Sequence, residues 1–489
     1  MKISFFYLVR ISAIVTGLLT YSNAVNAQAE TTSLPDTGIH LTLQQAVEIA
    51  FKNNLELKQA ELQSQSRKLD YKEAKAMQLP DVNGSIEHGR NQGRSIDPFT
   101  NTYLNQNIDY ANYGLNSGLL LFQGLSTRHF IKQQQLASKA GEMDVQQNKD
   151  NLTLQVILAY FAVLSAEDLT VQIDNQATVS RKQVERLTIL NSEGTINPSQ
   201  LYDLKGQLAN DEISLINTRN QLEAAKLTLS QLLNLPYDST LRLERISPEQ
   251  FLTTYEGTPA GIYQVALKEL AMVKAAELRK QSAEKGVKAW KGQLWPSLSL
   301  NAGLYTNYSS AASTQQLLSS SDVPSGDYVL LNGGKEPVYT TQGSYTQQKI
   351  AYVDQFKNNY STNVNFGIRI PILNGFTTRL QVSQSKLDLQ NADIVEKTTR
   401  IRLQQSIEQA WFNMTATYKR YKALIEQVNA FQESFRTTEV RFNEGVLNSV
   451  DYLVAKNNLD RASTNLIVAR YEYVFRTRIL DYYQSKPLW

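Results

Sequence analysis

Apolar side chains recur along this chain at two spacings, every second residue in short stretches and every three to four residues in long ones. From Asp109 to Phe122 the odd positions Ala111, Tyr113, Leu115, Leu119 and Leu121 are apolar, while Asn112, Gly114, Asn116 and Gly118 between them are small or polar. The same alternation sets Leu298, Leu300, Ala302 and Leu304 against Ser297, Ser299, Asn301 and Gly303. It returns in Thr362, Val364, Phe366, Ile368, Ile370 and Ile372, and more weakly around Val82 and Ile86. A period of two predicts strands with one oily and one wet face.

The longer spacing runs through Leu152, Val156, Ala159, Val163, Ala166, Thr170, Ile173, Ala177, Ser180, Val184 and Leu187, in a stretch from Leu125 to Ser192 that holds no proline. A heptad seam of that kind predicts coiled-coil helices, and a helix of this length reaches about 100 Å at 1.5 Å per residue. Gly194 suits the left-handed residue that ends such a helix, and Asn197 with Pro198 suits the start of a returning one.

The pattern occurs twice. A shift of 216 residues lays Ala60-Glu61-Leu62 on Ala276-Glu277-Leu278 and Pro80 on Pro296. A shift of 251 lays Gly124 on Gly375, Ala159-Tyr160-Phe161 on Ala410-Trp411-Phe412, and Glu193-Gly194 on Glu444-Gly445. The second copy carries the same seam, from Leu403, Ile407, Ala410 and Met414 to Phe435 and Thr438, with Asn448 and Ser449 as caps. Two units are predicted. Residues 28–235 hold a helix over 42–79, strands 82–90 and 109–122, and a helical hairpin 125–235. Residues 236–489 hold a helix 263–295, strands 297–308 and 358–373, and a hairpin 376–484, with an insertion of 35 residues between Pro296 and Gly375.

Composition narrows what these elements can do. Lys2 and Arg10, the apolar run Ile11 to Thr20 and the small residues around Ala27 read as a secretory signal over residues 1–27. No later stretch reaches the roughly 18 to 20 continuous apolar residues of a membrane helix, so a chain that crosses a membrane must do so as a β-barrel. Strands 109–122 and 358–373 exceed the roughly 9 to 11 residues that a tilted membrane strand needs. Four strands do not enclose a pore, since small barrels need about eight, so several chains contribute. A soluble antiparallel sheet is the other source of such alternation.

With no cysteine, and with His40, His88 and His129 far apart, the chain offers no disulfide, thiol nucleophile or metal-ligand spacing. No phosphate loop, zinc motif or activated nucleophile is present, so neither an enzyme nor a cofactor is expected. The formal charge of +3, which loses Lys2 and Arg10 with the signal, gives no sign of a nucleic-acid partner.

The order of signal, helix, two strands, long helix, Glu-Gly turn and returning helix, all repeated, resembles the TolC-like outer-membrane factor family over nearly the whole mature chain. The resemblance implies a mixed α and β fold: an internally duplicated protomer of a homotrimer. Each protomer would give four strands to a shared 12-stranded barrel, and its long helices would build a periplasmic α-helical barrel. It implies a passive exit duct for efflux or type I secretion, set in outer-membrane lipid and joined through a periplasmic adaptor to an inner-membrane pump.

Glu193, Gly194 and Asn197, with Glu444, Gly445 and Asn448, would form the adaptor-docking tips. Asp451 matches a pore-facing family position, and it also sits where a carboxylate complements a helix N-terminus. Leu447, Gln200 and Phe442 stand where better-known members carry an arginine, an aspartate and a tyrosine that hold the channel shut. Asp203 is then a candidate second carboxylate and Phe442 a candidate apolar constriction. Asn91 to Ile108 and Ser309 to Asn358 would be cell-surface loops, with Tyr110, Tyr113, Tyr305, Tyr308 and Tyr360 near an aromatic girdle. A trimeric coiled-coil stalk or adhesin without a transport role is the alternative.

Overall fold

The computed structural model describes residues 40–96, 101–105, 107–245 and 255–488; the expected signal over residues 1–27 lies outside them. The chain opens with strand β1 (His40–Leu41), followed by helices α1 (Leu43–Asn53) and α2 (Leu55–Ala76). Strand β2 (Asp81–Asn91), the short hairpin β3 (Arg94–Ile96) and β4 (Tyr103–Asn105), and strand β5 (Ile108–Gln123) come next. Helix α3 (Ser126–Ser192) runs for 67 residues and α4 (Pro198–Leu232) returns for 35. After β6 (Arg242–Leu243) the second unit repeats the plan with α5 (Pro259–Glu269), α6 (Ala271–Gly292) and β7 (Ser297–Ser309). Then come β8 (Ser313–Leu331), β9 (Gly334–Lys349), α7 (Tyr352–Asn358), β10 (Ser361–Arg369), α8 (Thr377–Asn443) and α9 (Ser449–Tyr483).

The helical hairpins repeat to the residue. Helices α8 and α9 again have 67 and 35 residues, and all their ends are offset by 251 from those of α3 and α4. Where one helix was expected over 42–79 and one over 263–295, each is broken in two. Asn54 and Leu270 are both extended, with ψ 121° and 133°. The Asn54 side chain accepts from the Leu57 N–H at 2.8 Å, so it ends one helix and caps the next. The break turns α1 so that Leu43, Ala46, Val47 and Ala50 pack against α3.

Four strands form one antiparallel sheet in the order β10-β7-β5-β2, which among the described residues leaves an edge of β10 and an edge of β2 unpaired. The weak pattern near Val82 is a full strand paired with β5 from Asp81 to Asn91. Strand β10 ends at Arg369, short of the expected 373; Pro371, two residues on, has no N–H to give a ladder. The stretch expected as a loop over 309–358 is instead the long β8–β9 hairpin and helix α7, the hairpin turning through Asn332 and Gly333, both with positive φ. Apart from these, β1 and β6 pair in parallel, and Tyr160, fully buried, places its hydroxyl 2.9 Å from the Leu41 carbonyl and 2.8 Å from that of Glu244. Nothing in the local pattern announced that pair.

The expected seam is the core. Leu152, Val156, Ala159, Val163 and Ala166 in α3, and Leu403, Ile407, Ala410 and Met414 in α8, are buried. One helix, α3, does hold a window long and apolar enough to cross a membrane, contrary to the sequence expectation. Much of that apolar surface is used in packing, because Val156, Ile157, Tyr160, Val163 and Leu164 lie in the same buried cluster as residues of α1, α4 and α9.

Candidate functional site

Two places follow from the pattern, the two-faced sheet and the far ends of the helical hairpins. In the sheet, the register puts Ile86, Tyr113 and Thr306 in one row, and Gly84, Leu115, Leu304 and Thr362 in the next. Further rows on that face carry Val82, Ala302 and Val364, then Leu119, Leu300 and Phe366. The opposite face carries Asn83, Ser85 and Glu87 from β2, and Asn112, Gly114, Asn116 and Gly118 from β5. Ser299, Asn301 and Gly303 continue it on β7, and Asn363, Asn365 and Gly367 on β10. Val364, Phe366 and Ile368 are about 70% exposed, so the apolar face is bare along β10.

The five candidate girdle tyrosines divide between the faces. Tyr113 and Tyr308 share the apolar face, Tyr360 lies just before β10 in a cleft with Tyr113 and Leu304, and Tyr110 and Tyr305 stand on the polar face. There the Tyr110 hydroxyl donates to Glu87 at 3.4 Å and that of Tyr305 to Asn116. Glycines make room for both rings: a Cβ on Gly89 would meet Tyr110 at 2.6 Å, and one on Gly303 would meet Tyr305 at 2.4 Å.

At the hairpin ends the two turns are copies of one another. Gly194 and Gly445 both have φ +72°. Gly194 N–H donates to Asn191 O and Thr195 N–H to Leu190 O; Gly445 and Val446 repeat these bonds to Phe442 and Arg441. This is the paired-bond helix end that a left-handed glycine allows. Asn197 caps α4 by accepting from Ser199 N–H, and Asn448 caps α9 by accepting from Asp451 N–H at 2.9 Å. Glu193, Gly194, Asn197, Glu444, Gly445 and Asn448 are all exposed.

Asp451 is exposed in the first turn of α9. Asp203 is engaged across the hairpins, accepting from the Ser449 hydroxyl at 2.8 Å. Phe442, the candidate constriction, is packed between helices. It is 5% exposed, inside a cluster with Leu187, Leu201, Leu204 and Tyr452, and its ring stacks on Tyr452 at 4.6 Å. An aromatic at the inner side of a four-helix contact is drawn into that contact by burial.

Below this cluster lies an ionic group that the sequence analysis passed over. Lys456, 2% exposed, donates to Asp211 of α4 at 2.9 Å and to Asp460 at 2.6 Å. Asp211 also accepts from Ser180 of α3 at 2.5 Å and from Gln207 at 2.8 Å. Burial pushes the Asp460 carboxyl up, against the pull of the Lys456 ammonium, and burial also raises the Tyr452 phenol. A signal existed: Lys456 falls on the buried stripe of α9 with Ser449 and Tyr452, at a spacing where an apolar residue is usual. Arg186 and Gln183 of α3 reach Asn443 at the end of α8, so the two hairpins are joined at several levels.

A sheet with one apolar face, set on paired 67-residue helices with a matched hairpin tip, has the architecture of an outer-membrane channel subunit. The solved structures agree on the fold. The outer membrane protein VceC from Vibrio cholerae superposes with a TM-score of 0.71 at 16% identity, over 90% of this chain and 94% of that one. The outer-membrane channel OprN does so with a TM-score of 0.70 at 16% identity, over 91% and 90%. Residues 46–235 and 262–478 match the family model of the outer membrane efflux proteins, and the chain belongs to that family. Among its relatives, the outer membrane efflux protein BepC of Brucella suis biovar 1 (strain 1330) is 20% identical over 434 residues, covering 88% of this chain and 83% of that protein. The outer membrane protein TolC of Escherichia coli (strain K12) is 22% identical over 373 residues, covering 76% and 68%. The protein is therefore an outer-membrane component of an efflux system, in a family of channels rather than enzymes.

Proposed function

We propose that three copies of this chain close one 12-stranded barrel and one helical tunnel, forming a passive exit duct that a periplasmic adaptor couples to an inner-membrane pump. The observation that carries this reading is the sheet itself: two unpaired edges on a wall that is apolar on one side and lined with Asn, Ser and Gly on the other. Unpaired strand edges are not tolerated in lipid, and three sets of four strands give each edge a partner. The polar face then lines water.

The exposed twin turns at Gly194 and Gly445 are the surface offered to the adaptor. Opening at the tip would have to part the contacts that join the two hairpins, among them Ser449 to Asp203 and Lys456 to Asp211. Asp451, repeated by a threefold axis, would place three negative charges at the mouth, and such a ring favours cations within about 8 Å at physiological salt.

Single-channel recording in planar bilayers under asymmetric salt tests this. A small cation-selective conductance, with selectivity weakened in Asp451→Ala, is expected. Unchanged selectivity in that variant would leave Asp451 with only its place beside the helix N-terminus, and no conductance from any trimeric preparation would favour the stalk or adhesin.

A further inference from the structure

Helix α7 is only seven residues long, yet it is firmly held. The Gln355 side chain, 1% exposed, accepts from Ser309 N–H at 2.9 Å and donates to Ser309 O at 3.0 Å and to Ile350 O at 2.9 Å. The Thr306 hydroxyl donates to Phe356 O at 2.8 Å, and the Asn359 amide donates to Asn307 O at 2.8 Å. These bonds lay the helix over the apolar face at the end of the sheet farthest from the long helices. Phe356 meets Tyr113 edge to face at 5.4 Å and Tyr352 packs on Tyr308 at 4.5 Å, while Tyr352, Val353 and Phe356 keep 41%, 58% and 46% of their surface open. Against the sheet at this end is a cleft of about 420 Å³ lined by Ile86, Tyr113, Leu115, Leu304, Phe356 and Tyr360, within the roughly 300 to 1,000 Å³ range of ligand clefts. Gly84 belongs to its wall, and a Cβ there would meet nothing within 4 Å.

We propose that this cleft holds a hydrocarbon chain of the phosphorylated glycolipid of the outer leaflet. The inference rests on the barrel reading, which turns the apolar face toward lipid and puts the α7 end in the outer half of the membrane. Depth and lining select a hydrocarbon chain, because a water-filled apolar cleft at that level has no stable alternative. Lys357, exposed on α7 beside Phe356 and one turn from the exposed Asp354, supplies a cation suited to phosphate. The aromatic cluster gives the amphipathic rim that sits between hydrocarbon and headgroup.

Native mass spectrometry of the protein extracted from its own membrane tests the assignment. The wild type should keep one glycolipid per chain through washing that removes other lipid. Gly84→Trp, which fills the cleft, and Phe356→Ala, which opens its side, should each keep at least tenfold less, while Ile368→Ala, elsewhere on the same face, should match the wild type. No retention, equal retention in all variants, or retention of phospholipid alone would overturn the proposal, and Phe356→Ala carries the test if Gly84→Trp does not fold. The barrel is checked separately, since the chain has no cysteine: a fluorophore on Phe366→Cys should be quenched by brominated lipid. Absence of quenching defeats the barrel itself; quenching without glycolipid retention defeats only the cleft.

Discussion

Lys456 is the residue on which most of the buried charge near the tip depends. It is 2% exposed and holds two carboxylates, Asp211 and Asp460, on different hairpins. Removing the lysine leaves both carboxylates without their cation in a poorly solvated place, at a cost of about 3 to 5 kcal/mol, whereas removing Asp460 leaves Lys456 paired with Asp211. Lys456→Ala should therefore lower the urea midpoint by a corresponding amount, and Lys205→Ala, at the exposed matching position of the first copy, should leave it nearly unchanged. Acid should act through Asp460. Its folded value is raised, so its favourable contribution is complete below the ordinary carboxylate value of about 3.9 and is lost as pH rises through the higher folded value. Asp460→Asn is expected to gain stability over the wild type near neutrality, with the gain vanishing toward pH 4; denaturation series at several pH values give the comparison.

Among the elements, the periodic ones were legible and the contextual ones were not. The seam from Leu152 to Leu187 and the alternation in β5, β7 and β10 are local patterns, and both survive in the structure. The β8–β9 hairpin was not legible, because Ser, Thr and Gln dominate it and its register shifts twice, which erases any period of two. The breaks at Asn54 and Leu270 were hidden by unbroken helical propensity on both sides. The tip turns were readable from Gly194 and Gly445, whose φ of +72° is poorly tolerated by a branched side chain. Gly445→Val should cost about 1 to 2 kcal/mol and, if the turn meets an adaptor, should reduce efflux in a drug-susceptibility assay while surface expression persists. Loss of susceptibility change despite a correctly folded variant would move the docking surface elsewhere.

For the whole molecule, sequence and structure reach the same limit from different sides. The sequence could count four strands, which are too few for a barrel, and in the proposed trimer the partners would pair on the edges of β2 and β10, which no described strand covers. The side on which Phe442 lies was beyond the sequence, because an aromatic at that spacing serves a pore or a helix contact equally, and only the packing against Tyr452 and Leu204 separates them. Likewise the partnership of Lys456 with Asp211 joins residues 245 positions apart, which no local pattern contains.

Electron microscopy of the purified protein, viewed down its long axis, tests the central claim most directly. Three copies sharing one barrel should give a threefold ring around a stain-filled centre along the full length of barrel and tunnel. A single-chain particle, or a threefold particle with a solid centre through the helical region, would contradict the duct and leave a stalk in its place.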